Sequence, residues 1–329
     1  MNAKRLLALG AGLCMCQVLV LWPGSSRAED FSNAAMRSIE LSYTVTVPDI
    51  PEGALQVDCW IPLPQSDAHQ TVQGYTVHGD FEYEEVIENE FGNHFLQFDL
   101  SPAAGGAAEF SVVFSVDRQR VDETNLFSGD NSPEMIRRFL PPASMVPLDG
   151  PIAAEATAVA SKESDPLARA HALYANIVNT VTYDKPQGGK HGRGDALFAC
   201  DERYGNCTDF HSLFIGEARS LGIPARFHMG IPVAMNADSG EIGGYHCWAE
   251  FWIDGRGWVP IDASEAQKNK ARTDELFGGL DASRIRFATG RDILIPGSAT
   301  GRVNFIIYPL VEADGEQIPA NRNFSFTAS

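Results

Sequence analysis

Three side chains carry the strongest chemical signal in the 329-residue sequence: Cys207, His246 and Asp262. Cys207 lies in Asn206-Cys207-Thr208-Asp209, which reads as a helix start with Asn206 as N-cap and Asp209 three residues on. Phe210, Leu213, Phe214, Ala218 and Leu221 follow at helical spacing, and Gly222 and Pro224 close the helix. A thiol in the first helical turn feels the positive end of the helix dipole, which lowers its pKa and suits a thiolate nucleophile. By position alone, a buried structural cysteine fits equally well. His246 opens a strand pattern in Gly244–Ile253. On a strand, His246, Trp248, Glu250 and Trp252 share one face, and Cys247, Ala249, Phe251 and Ile253 the other. Imidazole takes a proton from a thiol when a carboxylate orients its other nitrogen. The turn Asp254-Gly255-Arg256-Gly257 returns the chain as a hairpin, which would bring Asp262 near His246.

The elements around these residues divide the chain. Residues 37–121 alternate polar and apolar in short runs such as Ser42–Val47, Leu55–Ile61, His94–Phe98 and Phe110–Val116, separated by glycine turns. This predicts an N-terminal β-sandwich over residues 29–123. A proline-rich joint follows over 124–150, and an α+β domain over 151–329. Asp165-Pro166 predicts an N-cap and first helical residue, with Leu167, Ala170, Tyr174, Ile177 and Val178 on one face. Residues 181–194 read as a glycine-rich loop. Residues 284–287 and 303–308 read as strands that extend the sheet of the second domain or close a wall of its cleft.

The stretches GNCTDFHSLFIGEARSLGIPARFHMGIP, YHCWAEFWIDGRGW and VPIDA resemble the transglutaminase-like superfamily of papain-like thiol enzymes. The core resemblance covers about residues 165–265, in the superfamily's order of Cys, His and Asp. It implies a papain-like α+β catalytic domain, with Cys207 as nucleophile, His246 as general base and acid, and Asp262 as the group orienting His246. It implies a thioester on Cys207 formed from a peptide or glutamine amide, then resolved by water or an amine. The backbone N–H of Cys207 would hold the oxyanion with a second donor, for which Tyr204 and Asn206 are candidates. Asn206 reads first as a cap and Tyr204 as a wall. Trp248 and Trp258 either line the acyl cleft or belong to the core. Hydrolysis by a peptidase or amidase is the preferred expectation, because water is abundant outside the cytoplasm and nothing marks an amine-acceptor site. A cross-linking transglutaminase is the alternative, and a non-catalytic cell-envelope binding module is a third reading.

Composition sets limits on partners. Residues 1–28 read as a secretory signal: Lys4 and Arg5, an apolar run from Leu6 to Trp22, and Ser26-Arg27-Ala28 before the cut. Its removal takes the net charge from −18 to −21. Such a chain disfavours nucleic acid and anionic membranes. The expectation is a periplasmic or secreted protein with a peptide or protein substrate and no membrane span after signal cleavage. The sequence leaves the oligomeric state open.

Cys59, Cys200, Cys207 and Cys247 then remain, too few for a disulfide framework in a chain of this size. Cys247 reads as a small buried residue facing away from His246, with a Cys200–Cys247 disulfide as the minority reading. No cofactor is expected. No metal is expected either, since Cys207, His211 and His228 lack the spacing of ligand motifs. Asp201-Glu202 and Asp274-Glu275 read as solvated acidic faces.

Overall fold

The computed structural model describes residues 34–126 and 132–329. The signal segment therefore lies outside the described residues. Strand Met36–Val47 buries every second residue, with Ile39, Leu41, Tyr43, Val45 and Val47 inward. It pairs antiparallel with Ala108–Gln119, which turns Phe110, Val112, Phe114 and Val116 to the same core. These two strands anchor a five-stranded sheet ordered 239–242, 321–328, 36–47, 108–119, 70–78. A second five-stranded sheet is ordered 316–317, 310–313, 57–62, 94–99, 83–87. The two are joined by side-chain packing: Phe98 of one stacks on Phe110 of the other with centroids 3.9 Å apart. This is a β-sandwich.

Its composition differs from the sequence expectation. Strands Leu310–Ala313, Glu316–Gln317 and Asn321–Ala328, assigned above to the catalytic domain, complete the two sandwich sheets. Phe324 and Phe326 alternate into the sandwich core opposite Tyr43 and Leu41. Pattern alone shows that such a strand has a buried face, and not which distant strand it will meet. Residues 303–308 also depart from a continuous strand: only Arg302–Val303 pairs, with Ile293–Leu294. In the joint, Pro133–Arg137 forms a short helix, and Phe139 packs edge-on against Trp258.

The second domain is built on a four-stranded antiparallel sheet ordered 257–261, 246–253, 225–232, 284–289. Helices Gly150–Ala160, Pro166–Thr180, Ala196–Glu202 and Ala263–Lys268 surround a central helix, Cys207–Ser220. Asp165 caps its helix by accepting from the backbone N–H of Ala168. The central helix is buried from Cys207 to Arg219, so its polar residues need protein partners. Arg219 finds its own by donating to the carbonyls of Ala225 and Pro141, whereas both Glu217 carboxyl oxygens are buried with no hydrogen-bond partner among the described residues.

Candidate active site

The central helix begins where the sequence predicts. Asn206 Oδ1 accepts from the backbone N–H of Thr208, and Asp209 Oδ2 accepts from that of Asn206, completing a capping box. Asp209 also accepts from the N–H groups of Gly192 and Gly194, at 2.6 and 2.9 Å, and so ties the glycine loop beside the cysteine. Gly205 is required here, because a Cβ would stand 2.6 Å from Asp209 Cβ. Cys207 is the first helical residue and is only 3% exposed.

His246 opens its strand, and Asp262 follows the partner strand 257–261 as N-cap of the next short helix. His246 Nε2 lies 2.6 Å from Asp262 Oδ2, and Cys207 is among the groups that raise the imidazole's pKa. With Nε2 engaged by the carboxylate, Nδ1 is the nitrogen left for the thiol. Asp262 is fully buried and saturated. Oδ1 accepts from Ser264 Oγ and the Glu265 N–H, both at 2.9 Å, and Oδ2 also accepts from Arg284 Nη1. Asp281 completes the ion-pair chain through Arg284 at 3.2 Å.

The electrostatics follow from these partners. Burial pushes the Asp262 carboxyl up, but the charges of His246 and Arg284 outweigh it and hold the group well below the usual carboxylate range. Burial alone would lower the His246 pKa, yet the Asp262 charge and hydrogen bond, with Cys207, raise it above its ordinary value. A hydrogen bond from Cys247, opposed by burial and aided by His246, brings the Cys207 thiol well below its ordinary range. Both shifts run in the direction that favours a thiolate beside an imidazolium.

Two groups here were not given a role by the sequence. Cys247 is buried, as read, but its sulfur lies 3.5 Å from His211 Nδ1, on the side of the strand that faces the central helix. His211 sits one turn beyond Cys207 on the same helix, and its Nε2 is 3.5 Å from Asp262 Oδ1. The available signal was alternation, which puts Cys247 on one face of its strand without telling which face meets the helix. Cys200, the other half of the minority disulfide, is a free thiol donating to Glu155 at 3.2 Å, and Cys247 is free as well.

The remaining candidates fall elsewhere. Asn206 is occupied as a cap, and its Nδ2 donates to the Tyr245 hydroxyl at 3.2 Å. Tyr204 packs edge-on against Phe198 at 5.2 Å. Trp248 and Trp258 do not face Cys207. They lie on the far side of the sheet, where Trp248 packs near His228 and Trp258 under Arg226. With Cys247 against the helix, strand alternation sends Trp248 to the far face. His246, at the first residue of the strand, departs from that alternation and lies with Cys247 beside His211 rather than opposite it. His228 shares that far side, hydrogen-bonded to Thr289 Oγ1. A cleft of about 290 Å³ opens beside His246, walled by Tyr183, Val233, Met235 and Tyr245, with Lys268 at 4.5 Å over the Tyr183 ring.

Fold and site together define a class. Residues 153–263, which enclose Cys207, His246 and Asp262, match the model of the transglutaminase-like superfamily. It is 25% identical over 328 aligned residues to an uncharacterized protein of Haemophilus influenzae, covering 87% of this chain and 88% of that one. The crystal structure of a candidate cysteine protease from Cytophaga hutchinsonii superposes with a TM-score of 0.60 at 18% identity, covering 88% of this chain and 90% of that one. The periplasmic domain of TgpA from Pseudomonas aeruginosa matches with a TM-score of 0.36 at 16% identity, over 74% and 93% of the respective chains. Among the described residues, no helix is long and apolar enough to cross a membrane.

Proposed function

We propose that this protein is an exported thiol acyl-transfer enzyme that attacks peptide or glutamine amides through Cys207. The observation that carries the reading is the convergence of Cys207, His246 and Asp262 at the start of a buried helix. The Cys207 thiolate adds to the amide carbonyl. The first N–H of the helix, which has no intrahelical acceptor, faces the developing oxyanion. Tyr245 is the second donor in this reading. Its hydroxyl accepts from Asn206, which leaves its own proton free, and it borders the His246 cleft. His246 protonates the departing amine and leaves a thioester on Cys207. It then takes a proton from the water that releases the acid. Asp262 keeps Nε2–H in place throughout.

Water is the acceptor we favour, which makes the enzyme a peptidase or amidase. Protein cross-linking uses the same residues with an amine acceptor. The test supplies glutamine-containing peptides and a labelled primary amine to the mature protein and to Cys207→Ala under reducing conditions. Cleavage or deamidation without amine incorporation, lost in Cys207→Ala, is the expected result. Cys207-dependent incorporation would replace hydrolysis by amine transfer. A Cys207→Ala protein that keeps all biological activity would point to a binding module.

A further inference from the structure

A second pocket lies across the sheet from Cys207, between the β-sandwich and the far face of the catalytic sheet, with a volume of about 370 Å³. That size falls in the range of small-molecule sites. Strand register builds one wall: Arg226 pairs with Glu250, and His228 with Trp248. The sandwich contributes Asp67 and Arg118, and the last strand of the catalytic sheet contributes Arg286.

The charges in this pocket do not cancel. Arg226 Nε donates to Glu250 Oε2 at 2.7 Å, and its guanidinium lies 4.1 Å over the Trp258 ring. Arg286 Nε donates to Asp67 Oδ2 at 2.9 Å. Both carboxylates are thus engaged. His228 adds no charge near neutrality, because burial pushes its pKa down to about 4. Arg118 is left over. Its side chain is 4% exposed, its Nε has no hydrogen-bond partner among the described residues, and its contact with Asp67 is 3.9 Å. A buried guanidinium without a hydrogen-bonded counter-ion is costly, and a bound carboxylate offers the planar two-oxygen match it lacks. Trp248 and Trp258 add aromatic walls, which an inorganic ion would leave unused.

We propose that this pocket is a second ligand site for a small organic carboxylate. Its oxygens would rest on Arg118 and its apolar or aromatic body against Trp248 and Trp258. The site lies on the opposite face of the sheet from the thiol, so binding does not depend on Cys207.

Calorimetric titration of the full chain with N-acetylphenylalanine, and with the neutral N-acetylphenylalaninamide, tests this. Saturable 1:1 binding of the carboxylate alone is expected, equal in wild type and Cys207→Ala. Arg118→Gln should weaken it by roughly tenfold or more. Equal binding of the amide, unchanged binding in Arg118→Gln, or no binding up to about 10 mM carboxylate would overturn the proposal. If Arg118→Gln does not fold, Arg118→Lys decides. It keeps the charge but loses the planar fork, so weakened binding supports the site and unchanged binding contradicts it.

Discussion

At the scale of single residues, the reading makes the Cys207–His246 pair the source of pH dependence. The active state needs Cys207 ionised and His246 protonated. Cys207 is shifted down and His246 up, so activity should rise as pH passes the lowered thiol pKa. It should fall only as pH rises through the raised His246 pKa, on the alkaline side of a free imidazole. A pH–rate profile checks both limbs. His246 also contributes to stability, fully below its unfolded pKa of about 6.5 and progressively less as pH rises through its folded value. Cys247→Ala removes a hydrogen bond to the thiolate, so the acid limb should move to higher pH. An unmoved limb would show that Cys247 only fills space. Tyr245→Phe should lower kcat by about 10²-fold if the hydroxyl serves the oxyanion, with little change in melting temperature. The three catalytic candidates were legible because each type has a short local signature: a capped helix, an aromatic strand, a hairpin return. Arg284 and His211 were not legible as partners of Asp262. Nothing local to them announces a carboxylate brought in by folding.

At the scale of elements, the start of the central helix is the critical join. Asp209 serves the capping box and the glycine loop together, so Asp209→Ala should cost more than a simple cap, roughly 1 kcal/mol plus the freed loop. Gly205→Ala forces a Cβ onto that same carboxylate side chain and should destabilise by about 1–3 kcal/mol. Chemical denaturation of each variant measures both. The caps at Asp165 and Asn206 were readable because capping is a local rule. The sides taken by Trp248 and Trp258 followed only once the helix-facing side of the strand was known. Alternation gives two faces but not which one meets the helix.

For the whole molecule, the chain returns to its beginning. Strand Asn321–Ala328 pairs with Met36–Val47 and also holds the edge strand Ser239–Ile242, which leaves from the catalytic domain. Removal of residues 310–329 should therefore damage both sandwich sheets. Phe324 and Phe326 alone each represent roughly 1.5–3 kcal/mol of burial. The truncated protein should melt well below the full chain and be cleaved readily by protease within residues 36–119. An unchanged melting temperature would mean that the terminal strands are accessory. This closure was the least legible part of the sequence. A sandwich was readable from its strand-rich start, whereas its completion depends on pairing across nearly the entire chain.

The central claim is that Cys207 rests as a thiolate made reactive by His246. The most direct measurement is the rate of iodoacetamide alkylation of the native protein against pH, mapped by mass spectrometry to Cys59, Cys200, Cys207 and Cys247. The account predicts that Cys207 alone reacts at mildly acidic pH. It also predicts that His246→Gln moves that reactivity toward the pH of an ordinary thiol. A Cys207 that reacts only under alkaline conditions, or no faster than the other three, would contradict it.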